Sequence, residues 1–98
     1  MTITYEPIHP GEILLEEYLY PIGISRHRLA KGISVPTRRI NEIVRGERAI
    51  TPKIALQLSR ALGTSDRFWM NLQCRYDMDV AITRHHAELD LIEPLLSA

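Results

Sequence analysis

Two short apolar stripes separated by a break at Ser34-Val35-Pro36 constrain this chain more than any other feature. Leu29, Ala30 and Ile33 fall at i, i+1 and i+4; Ile40, Ile43 and Val44 fall at i, i+3 and i+4. Each set lines one side of a short helix. Pro36 lacks a backbone N–H, so it belongs at the start of the second helix rather than inside one. Ala30 is small, as a residue must be where two helix backbones cross closely. Ser25 is placed to cap the first helix, and Gly46 to end the second. The segment from Ser25 to Gly46 therefore reads as a helix, a tight turn and a helix.

The outer face of the second helix carries the chemistry. Thr37, Arg38, Asn41 and Arg45 lie opposite the Ile40/Ile43/Val44 stripe. Arg bonds guanine O6 and N7 in bidentate fashion, Asn does the same to adenine, and Thr bonds a base or touches a thymine methyl. A polar row also suits a merely solvated helix face, but its pairing with two buried stripes and a turn is the pattern of a helix-turn-helix, whose second helix enters the DNA major groove. Arg39 lies on the flank, in position for a phosphate. The charge map agrees. The whole chain is neutral, yet residues 25–48 hold seven basic residues against Glu42 and Glu47, an excess of +5, and the rest of the chain carries −5. A local basic patch is the footprint of a DNA-contacting surface. Arg28, Arg45 and Arg48 in that patch are further phosphate candidates.

At 98 residues the chain makes one small core. With 45% hydrophobic and 24% charged residues its composition is that of an ordinary globular protein. No run of about 20 apolar residues is present, so no membrane helix is expected. The opening MTITYEPIHPGE has neither a basic stretch nor an apolar one, which argues against a signal peptide. Cys74 is the only cysteine and can form no internal disulfide, which fits a cytoplasmic location. His85 and His86 are adjacent and cannot share a helix face, and no third ligand stands at supporting spacing, so no metal and no cofactor is expected. No paired carboxylates, nucleophile–base set or phosphate loop marks an enzyme.

Along the chain, residues 1–9 read as extended, with Ile3, Tyr5 and Ile8 apolar. A first helix opens near Pro10, turns Leu14, Leu15, Tyr18, Leu19 and Ile22 inward and Glu16 and Glu17 outward, and ends at Pro21 and Gly23. Thr51-Pro52 is an N-cap followed by proline at N1. It opens a helix with Ile54, Ala55, Leu58, Ala61 and Leu62 inward, ending at Gly63. Thr64 is expected to cap a fifth helix whose apolar face runs Phe68/Trp69, Leu72, Tyr76 and Val80. The fold class is all-α: five helices, with a helix-turn-helix domain over residues 1–72 and a C-terminal extension over 73–98. Phe68, Trp69, Leu72 and Tyr76 either form a dimer interface or cap the core. Leu89, Ile92 and Leu96 mark an amphipathic stretch interrupted by Pro94, which packs on the core, docks on a partner or trails as a tail.

These segments carry a family resemblance. Ser25 to Leu62 resembles the lambda-repressor-like, or Xre-type, helix-turn-helix. IHPGEILLEEYL (8–19), VRGERAIT (44–51), ALQLSRALGTS (55–65) and FWMNLQCRYDMDVA (68–81) together resemble the HigA antitoxins of toxin–antitoxin modules. The resemblance implies a homodimer that binds a palindromic operator in double-stranded DNA, represses its own promoter and neutralises a ribonuclease toxin of the HigB kind. It places Thr37, Arg38 and Asn41 at base-reading positions and Arg26 at a phosphate. Ser34 departs from the glycine usual in the motif's turn. A stand-alone Xre-type regulator with no toxin shares the same motifs, and a small-molecule enzyme is the remote alternative. Residues 1–24 carry four glutamates and no Lys or Arg, and residues 76–98 have a net charge of −4. Such faces complement a basic, RNA-cleaving partner, and they make Glu12, Glu16 and Glu17 the candidate toxin contacts.

Overall fold

The computed structural model describes residues 6–96. Three consecutive segments, Pro10–Ile13, Leu14–Leu19 and Tyr20–Ile22, form one continuous helix, α1. Then follow α2 (Arg26–Gly32), α3 (Thr37–Val44), α4 (Pro52–Leu62) and α5 (Phe68–Asp90). No strand occurs among the described residues. Helix α1 packs on both α3 and α5, α2 on α3, and α4 on α5. The core comprises Leu14 and Leu19 of α1, Leu29, Ala30 and Ile33 around α2, Ile40 and Ile43 of α3, Ile50, Ile54, Ala55 and Leu58 of and before α4, and Trp69 of α5. Both stripes of the central motif thus face the core.

Pro10 occupies the first turn of α1, where its missing N–H costs nothing. The cap ahead of it is His9, whose Nδ1 accepts a hydrogen bond from the Gly11 N–H at 2.9 Å. The ring also packs edge-to-face on Tyr76, with centroids 4.8 Å apart. Leu14–Leu19 is π-helical, with the Tyr20 N–H bonded to Leu15 O. The wide turn lies just ahead of Pro21, whose ring would crowd the Glu17 carbonyl in regular α geometry. The helix therefore passes through Pro21 and ends only at Gly23. Ile22, expected inside, is 56% exposed because it belongs to this last turn, beyond the core. Ile3 and Tyr5 lie outside the described residues.

Burial is the main cause that lowers the His9 pKa below its ordinary value; Asp77 and a backbone bond to Arg48 oppose the shift. The unfolded chain therefore takes up the proton more readily. The stability His9 contributes is fully present above the ordinary histidine range and is lost as pH falls through the lowered folded value. Protonation also removes the Nδ1 lone pair that caps α1 and puts a positive charge at a helix N-terminus. Thermal melts from pH 7.5 to 5 should show this loss. His9→Asn keeps a good N-cap and should flatten the slope in that window; an unchanged slope would assign the pH dependence to other groups.

Ser25 and Thr51 cap α2 and α4 as expected, accepting from Arg28 N at 3.0 Å and Ile54 N at 3.3 Å. Thr64 does not cap α5: its hydroxyl donates to Ser65 O, the carbonyl of the next residue, and α5 starts at Phe68 with no side-chain cap. The connecting turn is organised by Asp66, which accepts from the Ser59 hydroxyl at 3.1 Å and from the Arg60 guanidinium. Those bonds hold its carboxyl below the usual aspartate range, Arg60 more than Ser59. Ala61, expected inward, is exposed, whereas Ser59, one helical turn after the buried Ala55, is buried.

Helix α2 ends in a turn in which Val35 N bonds Ala30 O at 3.0 Å and Ser34 N bonds Lys31 O at 3.3 Å. This geometry requires a left-handed residue at Ser34, which has φ +60°, the only positive φ outside glycine among the described residues. The matching turn after α3 uses Gly46 at φ +76°. A side chain in this region carries a cost of about 1–2 kcal/mol that glycine largely escapes. Ser34 is exposed and loses no packing when truncated. Ser34→Gly should therefore raise stability by about 0.5–1 kcal/mol, read as a higher urea midpoint at unchanged slope; a lower midpoint would show that unfolded-chain entropy outweighs the strain.

Helix α5 runs straight through the expected division at residue 72. Gln73 lies buried just beyond it, its Oε1 accepting from Ile50 N at 2.8 Å and its Nε2 donating to Asp77 at 2.9 Å. Val80 is the last half-buried position; every residue from 81 to 96 is exposed. The backbone leaves helical geometry locally at His85, and Leu91 closes the helix. Of the C-terminal options, packing on the core is thus excluded for residues 81–96. Leu89 is in α5, whereas Ile92 and Leu96 lie past its end.

Candidate nucleic-acid interface

Helix α3 buries Ile40 and Ile43 completely and presents the opposite face to solvent. Its placement depends on α1. At Gly11 the backbones of α1 and α3 approach so closely that a Cβ would overlap the Ile43 carbonyl oxygen and lie 2.6 Å from its carbon and 3.0 Å from Val44 Cα. Ala30, 1% exposed, provides the small residue on α2. Two sides of α3 are thereby wedged, and the third is free for a ligand.

On that free side, each expected reading residue already has a partner. Arg38 donates through Nε to Glu42 at 3.0 Å, and Arg48 through Nε to the other oxygen of the same carboxylate at 3.1 Å. Arg26 Nη1 lies 3.5 Å from Asn41 Oδ1. Thr37 Oγ1 lies 3.1 Å from His27 Nδ1. Hydrogen bonds from Arg38 and then Arg48 hold the Glu42 carboxyl below the usual glutamate range, so it remains charged. The Arg38 side chain is 87% exposed. Ion pairs this exposed are weak and exchange readily for other partners, so Arg38 can leave Glu42 for another acceptor at little cost.

Arg28, Arg45 and Arg48 are exposed, and Arg26 and Arg39 half-buried, around this row. The basic patch thus borders the polar face of α3, which suits contact with a polyanion. Glu42, Arg26 as a partner of Asn41, and His27 were not read from the sequence as parts of a connected set. Glu42 had a signal, being four residues after Arg38. His27 and Thr37 are ten residues apart and become neighbours only through the turn.

The helix-turn-helix family pattern matches residues 15–69. Virulence-associated protein I of Dichelobacter nodosus is 49% identical over 90% of this chain and 81% of its own. Antitoxin HigA-1 of Vibrio cholerae is 32% identical over 91% of this chain and 84% of its own. The solved structure of Pseudomonas aeruginosa antitoxin HigA with the higBA promoter matches at a TM-score of 0.87 and 43% identity, covering 92% of this chain and 99% of that one. The chain belongs to the HigA antitoxin family. Its lambda-repressor-like fold, five helices among the described residues, is the fold of that HigA structure.

The remaining expected site residues take distinct places in this HigA-family chain. Trp69 is fully buried, with Phe68 5.0 Å and Tyr18 5.2 Å away between ring centroids. Tyr18 belongs to α1, so the cluster fastens α5 to α1. Phe68, Leu72 and Tyr76 are half-buried around it. Glu12, Glu16 and Glu17 are exposed on α1. No helix among the described residues is long and apolar enough to cross a membrane.

Proposed function

We propose that this HigA-family chain is a cytoplasmic homodimeric repressor that binds a palindromic operator upstream of its own gene and serves as the antitoxin of a ribonuclease toxin. The observation that carries the reading is the α3 face: Thr37, Arg38 and Asn41 stand in one row, bordered by five arginines, on a helix wedged against the core. A relative with 43% identity was solved with promoter DNA, which supports an operator as the ligand. Thr37, Arg38 and Asn41 read base edges; Arg26, Arg28, Arg39, Arg45 and Arg48 bind phosphates. One such helix reads too few base pairs to select a site in a genome, so two copies read two half-sites about one DNA turn apart. The half-buried Phe68, Leu72 and Tyr76 offer apolar surface for pairing along α5. The exposed Glu12, Glu16 and Glu17 form an acidic face of α1 for a basic toxin.

The test is footprinting on the DNA upstream of this gene, with sedimentation of the free protein. Two protected half-sites, one DNA turn apart and lost steeply with salt, are expected. Failure to protect that DNA at low salt would overturn the operator reading. Charge reversal at Glu12, Glu16 and Glu17 should slow association with the toxin encoded beside this gene and leave operator affinity nearly unchanged; an unchanged association rate at low salt would remove α1 as the toxin face.

A further inference from the structure

Among the partners of the reading row, the one on Thr37 reaches it from another helix. His27 is the second residue of α2, is exposed, and places Nδ1 3.1 Å from the hydroxyl of Thr37, the first residue of α3. We propose that His27 is a specificity-determining positioning residue: its ring links a DNA phosphate to Thr37 and thereby sets which hydrogen-bonding valence Thr37 offers to a base. This rests on the operator-binding reading above.

A threonine hydroxyl has one hydrogen to donate and two lone pairs to accept with, so a free Thr can bond a base donor or a base acceptor. A neutral imidazole donates from one nitrogen and accepts at the other, and a partner on one nitrogen fixes the role of the second. When Nε2–H donates to a phosphate oxygen, Nδ1 carries only its lone pair. The 3.1 Å contact is then filled by the Thr37 O–H donating to Nδ1. That uses the only hydrogen on the hydroxyl and leaves its lone pairs and methyl for the groove. Held this way, Thr37 accepts from adenine N6 or cytosine N4 and packs on a thymine methyl. It rejects guanine, whose major-groove edge presents only acceptors. His27 thus converts a permissive side chain into a discriminating one, and couples that discrimination to correct seating on the backbone. The neighbouring Arg26 lies 3.5 Å from Asn41, so the first turn of α2 reaches two reading positions one helical turn apart. The N-terminus of α3 has no side-chain cap, so the His27–Thr37 contact is not spent on closing the helix end.

The experiment measures affinity of wild type, His27→Ala, His27→Asn, Thr37→Val and the Ala/Val double variant. The probes are duplexes carrying the footprinted upstream site, the same site with each base pair of one half-site changed in turn, and a random-sequence duplex. Wild type should reject guanine by about tenfold or more at the one position where Thr37→Val changes the preference. His27→Ala should keep the wild-type melting temperature and lose that rejection while other positions keep theirs. It should add nothing to Thr37→Val in preference at that position. His27→Asn, whose amide oxygen can stand where Nδ1 stood, should restore most of the rejection. If His27→Ala instead weakens every duplex equally, His27 is a phosphate contact only and the proposal fails. Independent effects of His27→Ala and Thr37→Val on the preference also overturn it. Wild type binding the operator and random duplexes alike would overturn the operator reading and the His27 assignment with it.

Discussion

Gly11→Ala should leave the chain largely unfolded or reduce its stability by roughly 3 kcal/mol or more, although it adds a single methyl group. Alanine is normally the better helix former by about 1 kcal/mol, so propensity alone predicts the opposite sign. The obstacle is steric. The new Cβ would overlap the backbone carbonyl of Ile43 and crowd the carbonyl carbon at 2.6 Å. Neither atom can turn aside as a flexible side chain would. Relief requires α1 and α3 to separate, which opens the core around Leu14, Ile40 and Ile43, all fully buried. Domains of this size have only about 5–15 kcal/mol in hand. Urea denaturation followed by circular dichroism checks the result. A midpoint equal to or above wild type would show that α1 docks on α3 at a greater distance than described. Any folded fraction should also lose operator affinity, because the displaced element is α3 itself.

The double variant Arg38→Ala/Asn41→Ala should lose roughly 2–6 kcal/mol of operator affinity, bringing it close to the level on random DNA. Each bidentate base contact is worth about 1–3 kcal/mol of discrimination, and well-separated base positions add approximately. The fold should persist. Arg38 is exposed, and without it Glu42 keeps its bond to Arg48 at 3.1 Å. Asn41 meets only the Arg26 guanidinium among the side-chain hydrogen bonds. Affinity for random duplex should change little, because Arg26, Arg28, Arg39, Arg45 and Arg48 remain. Mobility shifts on operator and random duplexes at matched salt separate the two effects. An equal loss on both duplexes would make Arg38 and Asn41 phosphate contacts and move base reading elsewhere on the chain.

Local signals were legible wherever one residue type has one physical use. Ser25 and Thr51 announced helix starts because a hydroxyl there satisfies an otherwise unpaired N–H. The 3.6-residue periodicity marked Leu29, Ile33, Ile40 and Ile43 as core. Ser34 was visible as a departure from the motif's usual glycine, and the structure places it at φ +60°. Thr64 carries the same hydroxyl yet caps no helix, because Asp66, tied to Ser59 and Arg60, organises that turn. The extension was hard to read because residues 81–96 make no core contact that a periodic pattern could record.

Hydrophobic periodicity and capping act within a few residues, so the helices, their two facing stripes and the polar row on α3 are legible in the chain alone. The sequence also placed the chain near the HigA antitoxins, through motifs such as HPGE whose glycine had no local explanation. Only the tertiary structure supplied that explanation: Gly11 is where the backbones of α1 and α3 meet. Likewise it joined His27 to Thr37 and Arg26 to Asn41, and set Gln73 against the Ile50 amide. These pairings link residues 10 to 32 positions apart in the chain. Steric contact and hydrogen bonding act over a few ångströms of space, so the spacing of residues along a chain cannot reveal such neighbours until the helices have packed.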